Sequence, residues 1–486
     1  MRYVRFLVVF IGVLAIPLAE TSALPGGDWQ QWESEHFVVY SAHDARSTLG
    51  LLERLEFFHD FLTDVFGSAS IDDTPKPKLF LFPTRSIYAP YAWGNPKTRI
   101  AYMLRAPDDN YIAASWTPGV DTNATLYHEL THFYLGNSFG LIPLWVDEGL
   151  AVYYSTFVAN REVARVGRPG AGELRILRNW TLQDVTDVVQ VRRSSSQYNE
   201  EKQSQRWYSQ AWILTHYIMH ELADGRAKLR KLLEKTTATS PDDLEEFIGL
   251  PLDVLNAELR AHVQREELPH DVTPITHLRR ERKLSELRPD KAELYAALGH
   301  LLLRLPGNHA TAAREHFEAA LANQEDQPLA LIGLARVFVE DEPERADDCC
   351  ARALDGVADA NAYLTCGEVD YAMAFVEQAA GKSALPRFRA ARARLHRAIE
   401  IAPNLTRAYV YLGYCHLTTR ADALTATTIL EGALERTRDY QLLPVLGLLY
   451  KKSGEIERGR ELLTQSLSAV TDPELREQIQ AALDGL

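Results

Sequence analysis

At 486 residues the chain is too long for one typical hydrophobic core, so two or three domains are expected. Its 46% hydrophobic and 24% charged residues exclude a disordered chain. A net charge of -14 argues against nucleic acid and anionic membrane as partners, because binding phosphate requires a basic surface.

Residues 1–23 open the chain with Arg2 and Arg5, then an apolar run from Phe6 to Ala19, then Thr21-Ser22-Ala23. This is the layout of a secretory signal peptide, with an apolar run short for a membrane span. Arg2, Arg5 and Glu20 sum to +1, so a chain cleaved there would carry -15. Export to a periplasmic or extracellular space is therefore expected, with membrane contact only if the segment stays uncleaved. No cysteine lies near residue 23, which argues against a lipid anchor, and no later run of 18 apolar residues predicts a membrane span.

Four short runs rich in β-branched and aromatic residues predict strands: "HFVVYS" (36–41), "KLFLF" (78–82), "IAYML" (100–104) and "YIAAS" (111–115). Between the first two, Leu51, Leu55, Phe58, Leu62 and Val65 recur at spacings of three and four and predict a helix. Strands followed by helices imply an α+β domain, bounded here as residues 28–265.

"YHELTHFYLG" (127–136) follows. Leu126, Leu130, Phe133 and Tyr134 form an apolar stripe, Asp121 or Thr122 can cap the start, and Gly136 can end it. On such a helix His128 and His132 lie one turn apart on one face, so both imidazoles can reach one metal ion. Glu129 then stands beside the ion, placed as a general base rather than a ligand. A catalytic zinc needs a third protein ligand and an open fourth position. "PLWVDEGLAVYYSTF" offers one: Pro143 suits a helical first turn, and Glu148 comes sixteen residues after His132. A loop of six residues lets the two helices pack antiparallel, which can bring Glu148 to the metal. Asp147 points about 100° away on that helix and has two open readings. It orients a ligand imidazole, or it only complements the helix dipole.

"HELTH" followed by "WVDEGLA" resembles the gluzincin zinc metallopeptidases, in the bacterial peptidase-MA-like branch whose members often carry tetratricopeptide repeats. The resemblance implies a zincin-like fold with a mixed sheet and one Zn2+ held by His128, His132 and Glu148. It also implies peptide hydrolysis with Glu129 as general base. It further implies an edge strand that aligns the peptide substrate, with "YIAAS" as the candidate. "RWYSQAWILTHYIMHEL" (206–222) resembles the family's downstream helix, with Tyr208 as first candidate for the oxyanion donor and His216 as second. No exopeptidase signature is present, so endopeptidase action is expected.

"LPHDVTPITHLRRERKLSELRPDK" predicts a linker over 266–290, its basic run solvated. Beyond it strand signals vanish. Gly413 in "YVYLGYCHL" and Gly447 in "LPVLGLLYKK" stand 34 residues apart, each after a leucine. "ARARLHRAIEIAP" repeats the second-helix pattern, and copies begin around Gly299 and Ala335. A small residue is needed wherever neighbouring helices cross closely, so the register resembles about five tetratricopeptide repeats over 291–486. Their groove is expected to hold a protein partner or the substrate.

Cys349, Cys350, Cys366 and Cys415 read as small buried apolar residues, with a Cys366–Cys415 bridge left open. The alternative to an enzyme is a repeat-based scaffold carrying a vestigial or structural zinc site. The substrate is not legible from the chain.

Overall fold

The computed structural model describes residues 24–67, 76–97, 99–106, 109–116, 122–139, 142–192, 195–234, 241–278, 283–287, 290–339, 341–356, 359–419, 423–437, 439–469 and 473–485. The expected signal peptide (1–23) and the candidate cap Asp121 lie outside the described residues. Among the described residues no helix is long and apolar enough to cross a membrane.

In chain order the strands are β1 (Gln30–Glu33), β2 (Val38–Ser41), β3 (Lys78–Phe82), β4 (Ala101–Ala106), β5 (Asp109–Ser115), β6 (Val158–Ala159), β7 (Val163–Val166), β8 (Asp271–Pro274) and β9 (Ser285–Leu287). Six of them form a mixed sheet in the order β4-β5-β3-β2-β1-β9, and β6-β7-β8 form a small second sheet. The strands β2, β3 and β5 run parallel, while β4, β1 and β9 pair antiparallel to their neighbours. The apolar runs in the sequence become β2 to β5. The short polar "QQWE" of β1 carries no strand signal of its own and is ordered by pairing with β2 and β9.

Side chains alternate between the two faces of the large sheet, and both faces are buried, which is why its strands read as nearly unbroken apolar runs. On one face Val39, Leu79, Leu81, Met103, Ile112 and Ala114 pack on the helices of the α+β layer. The first of these helices is Ala45–Phe66, with Asp44 accepting from the Ser47 amide at its start and Gly67 closing it at φ 95°. On the other face Tyr40, Phe80, Phe82, Tyr102, Leu104 and Tyr111 join one continuous core with Ala292, Leu298, Leu301 and Phe317 of the C-terminal helices.

Those helices come as five successive pairs among the described residues, followed by Pro473–Asp484. The pairs are Lys291–Arg304 with Ala310–Asn323, Pro328–Phe338 with Pro343–Gly356, Ala360–Ala379 with Leu385–Ile401, Thr406–Thr418 with Ala423–Thr437, and Leu443–Ser453 with Ile456–Ala469. Glycine marks the crossings. A Cβ at Gly299 would lie 2.5 Å from the Phe317 ring, and one at Gly333 only 2.1 Å from it. Gly333, 34 residues after Gly299, therefore marks the second crossing in place of Ala335.

Two expectations change here. The segment 266–290 is no free tether: β8 extends the small sheet and β9 extends the large one. Neither strand carries an apolar run, and β9 is exposed along its length, so no local pattern marks them. The disulfide is Cys350–Cys366, joining the Pro343–Gly356 helix to Ala360–Ala379, while Cys349 and Cys415 are buried and free. The open Cys366–Cys415 pairing is thus not the one formed, because consecutive helices bring Cys350 to Cys366 first, with Cα atoms 5.5 Å apart.

Candidate metal centre

The "HELTH" helix runs Thr122–Phe139, three residues past Gly136, because Phe139 still buries its ring in the core. Its partner, Leu144–Ser155, begins right after Pro143, whose carbonyl accepts from the Val146 and Asp147 amides. The connection is therefore residues 140–143, shorter than expected, and the two helices pack on each other. Leu144–Ser155 also packs against a third helix, Glu201–Glu221, with Gly149 at the closest approach. A Cβ at Gly149 would lie 2.2 Å from Thr215 Oγ1 and 2.6 Å from the Ala211 carbonyl oxygen. Gly149→Ala is accordingly expected to cost about 1–3 kcal/mol by overpacking, and to displace the neighbouring Glu148. Thermal melting with and without zinc checks this; a variant as stable as wild type would mean the helices can separate freely.

This packing brings three donors together. His132 Nε2 lies 3.1 Å from His128 Nε2. Glu148 Oε2 lies 3.4 Å from His128 Nε2 and 3.3 Å from His132 Nε2. A tetrahedral ion about 2.0–2.2 Å from each ligand atom separates neighbouring ligands by about 3.3–3.6 Å, so the triangle has the right size. Glu148 is 2% exposed, and its Oε2 has no hydrogen-bond partner although it is buried. An orphaned buried carboxylate oxygen facing two imidazole nitrogens is a cation-shaped arrangement.

The neighbours prepare the donors. Asp147 Oδ1 accepts from His132 Nδ1 at 2.7 Å, which turns the ring and leaves Nε2 facing the triangle. Of the two readings left open for Asp147, orienting an imidazole is the one this contact supports. Burial opposes charge on His132, yet Asp147 and Glu148 outweigh it and hold its pKa well above the usual value. Burial likewise opposes ionisation of Glu148, and His132 and His128 outweigh it, keeping its pKa well below the carboxylate range. Once both imidazoles give up the proton that metal binding requires, the two carboxylates leave two negative charges, which a dication would neutralise. The donor set and its charge fit zinc.

Glu129 stands beside the triangle and outside it, half-exposed, with Oε2 accepting from the Met103 backbone amide at 3.0 Å. That amide belongs to β4, which corrects the expectation for "YIAAS": β5 lies inside the sheet, between β4 and β3, and β4 is the edge. The hairpin folds β4 back along the outer side of β5. The Ser115 amide donates to the Ile100 carbonyl at 2.8 Å. By antiparallel alternation Tyr102 and Leu104 then bond to β5, while Ala101 and Met103 aim their N–H and C=O outward.

Tyr208 is half-buried on the Glu201–Glu221 helix, its ring centroid 6.5 Å from that of His128. Burial, then the Glu148 charge, raises its pKa well above the usual phenol value, so the hydroxyl keeps its proton as a donor. His216 is not at the site. It lies two turns further on, about 12 Å along the helix, and is fully buried. Its Nδ1 meets His262 Nε2 at 3.0 Å and its Nε2 meets the Pro269 carbonyl at 2.8 Å, so it is an interior residue. Tyr198, absent from the sequence reading, donates to Glu148 Oε1 at 2.8 Å. No periodic signal marks it, since it precedes the helix in the polar stretch "SSSQYNEE".

His36, His59 and Asp60 also have ligand-type atoms within 4.8 Å of one another. The two rings stack with centroids 3.5 Å apart at 21°, so their in-plane lone pairs run side by side instead of converging. A cavity of about 880 Å³ opens at the N-terminal end of the "HELTH" helix, lined by Phe57, Tyr127 and Phe157, but none of the three donors lines it. Donor chemistry, not cavity size, locates the site.

A family profile described as a protein of unknown function (DUF1570) matches residues 122–243, a span containing both donor helices, Tyr198 and Tyr208. No curated protein matches the chain. Among solved structures, the chain is similar to a thermophilic TPR protein of Thermus thermophilus, TTC0263, at 21% identity over 40% of this chain and 98% of that one, with TM-score 0.34. It is also similar to YrrB, described as a TPR protein with an unusual peptide-binding site, at 21% identity over 39% and 92%, with TM-score 0.28. A third is pilF of Pseudomonas aeruginosa, at 23% identity over 40% and 82%, with TM-score 0.32. These likenesses are loose.

Proposed function

We propose that the chain is an exported, zinc-dependent endopeptidase of the gluzincin type, whose repeats recruit the substrate or a partner protein. The observation carrying this reading is the His128–His132–Glu148 triangle, with an orphaned Glu148 Oε2 and a glutamate beside it but outside it. Zinc held there by these three residues would supply Lewis acidity, lowering the pKa of a water and polarising a carbonyl. Glu129 takes the proton of the attacking water and passes it to the leaving amine. Tyr208 offers a neutral O–H to the carbonyl oxygen as it gains charge. The outward N–H and C=O of Ala101 and the outward C=O of Met103 can pair with an extended peptide, adding a strand to the sheet, while the Met103 N–H holds Glu129. Asp147 keeps a proton on His132 Nδ1 and so keeps Nε2 free as a donor.

Stacked helix pairs expose a continuous concave surface, which supports protein or peptide capture by residues 291–486. The Cys350–Cys366 disulfide is compatible with an oxidising compartment. A pure scaffold with a vestigial site is disfavoured by the retained Glu129.

The test is metal analysis of the purified chain lacking residues 1–23, with cleavage of a peptide library. One zinc per chain is expected, with cleavage lost on chelation and regained on adding zinc. A natively folded chain without stoichiometric zinc would sink the enzyme reading.

A further inference from the structure

Three groups meet at Glu148, and only two of them are metal donors. The third is the Tyr198 hydroxyl, which donates to Oε1 at 2.8 Å and leaves Oε2 facing His128 and His132. A carboxylate with both oxygens free can take a metal through both and fill the position a catalytic site must keep open. A donor on one oxygen occupies a lone pair there, disfavours this and fixes the rotation of the group. We infer that Tyr198 is a positioning residue that holds Glu148 as a one-oxygen ligand and so keeps the fourth position free; this rests on the zinc reading above.

Packing fixes that hydroxyl. Tyr198 sits on the short Ser196–Asn199 helix, with its ring 5.7 Å from that of Trp207 and 5.9 Å from that of Tyr208. Trp207 is fully buried, and its indole N–H donates to the Val188 carbonyl at 3.0 Å, so the platform under Tyr198 is anchored in the core. Tyr198 holds the ligand carboxylate, and Tyr208 beside it faces His128 and interacts with the Tyr198 hydroxyl.

The experiment compares wild type, Tyr198→Phe and Tyr208→Phe as full mature chains. It reads zinc affinity by chelator competition, the visible spectrum of the Co2+-substituted protein, apo melting temperature and kcat under zinc saturation. Tyr198→Phe keeps the ring on Trp207, so the apo melting temperature should hold. Zinc affinity should fall about 10–100-fold, and the Co2+ bands should change as the coordination number changes. Tyr208→Phe should leave affinity and spectrum as in wild type and lower kcat. Wild-type affinity and spectrum in Tyr198→Phe, or a collapse of its apo melting temperature, would overturn the inference. Failure of wild type itself to take up one zinc would instead overturn the zinc reading.

Discussion

Glu129→Gln is expected to retain one zinc per chain and to lose about 10²–10⁴-fold in kcat, the range for removing a positioned general base. The substitution is nearly isosteric, and the amide oxygen of glutamine can still accept the Met103 N–H that now binds Glu129 Oε2. Fold and edge-strand position should therefore persist. The three donors are untouched, so zinc affinity should stay near wild type. Loss of turnover with zinc retained would separate chemistry from binding. Full cleavage by the variant would mean that the water gives its proton to another group, and Glu129 would lose its assigned role.

A chain ending at residue 290 is expected to fail as a folded unit, although it contains every residue of the metal centre. Ending there uncovers the outer sheet face: Tyr40, Phe80, Phe82, Tyr102, Leu104 and Tyr111. At about 1.5–3 kcal/mol for each buried large apolar side chain, six of them amount to roughly 9–18 kcal/mol. That matches or exceeds the roughly 5–15 kcal/mol by which a typical domain is stable. Polar links are lost as well. Glu293 Oε1 accepts from Gln31 Nε2 at 2.9 Å and from the Tyr40 hydroxyl at 2.8 Å. His316 Nδ1 donates to the Ala312 carbonyl, so its Nε2 accepts from the Tyr91 hydroxyl at 2.7 Å. The expected outcome is low soluble yield, dye binding to exposed apolar surface and no zinc retention. A monomeric, zinc-loaded fragment with cooperative melting would show that the sheet does not need this cover.

The coupling also bears on how recruitment would work. The first helix pair is part of the wall behind the sheet, so on the proposed reading a partner seated on that pair would take a fixed orientation to β4 and Glu129.

Much of the site was legible because its logic is local. His128, Glu129 and His132 fall within one helical turn and a half, and helix geometry alone places two imidazoles on one face. Glu148 was reached by spacing and resemblance, and packing puts it 3.3–3.4 Å from both imidazoles. Asp147 had two readings that only a tertiary contact could separate, because both follow equally from its place in the first turn. Tyr198 and the Met103 amide were missed for one reason: each acts on a residue far away in the chain, and neither carries a periodic or compositional mark.

What the residues determined by themselves, then, were properties set by neighbours in the chain: the "HELTH" helix, the apolar strands, and the 34-residue spacing of glycines at helix crossings. Tertiary structure alone decided that β4 and not β5 forms the edge, that His216 turns inward while Tyr208 faces the donors, and that Cys350 is the partner of Cys366. It also decided that 266–290 contributes strands and that the repeats cover the sheet. The physical reason is common to all of these. A backbone period states which side of an element is apolar, but not which other element will cover it.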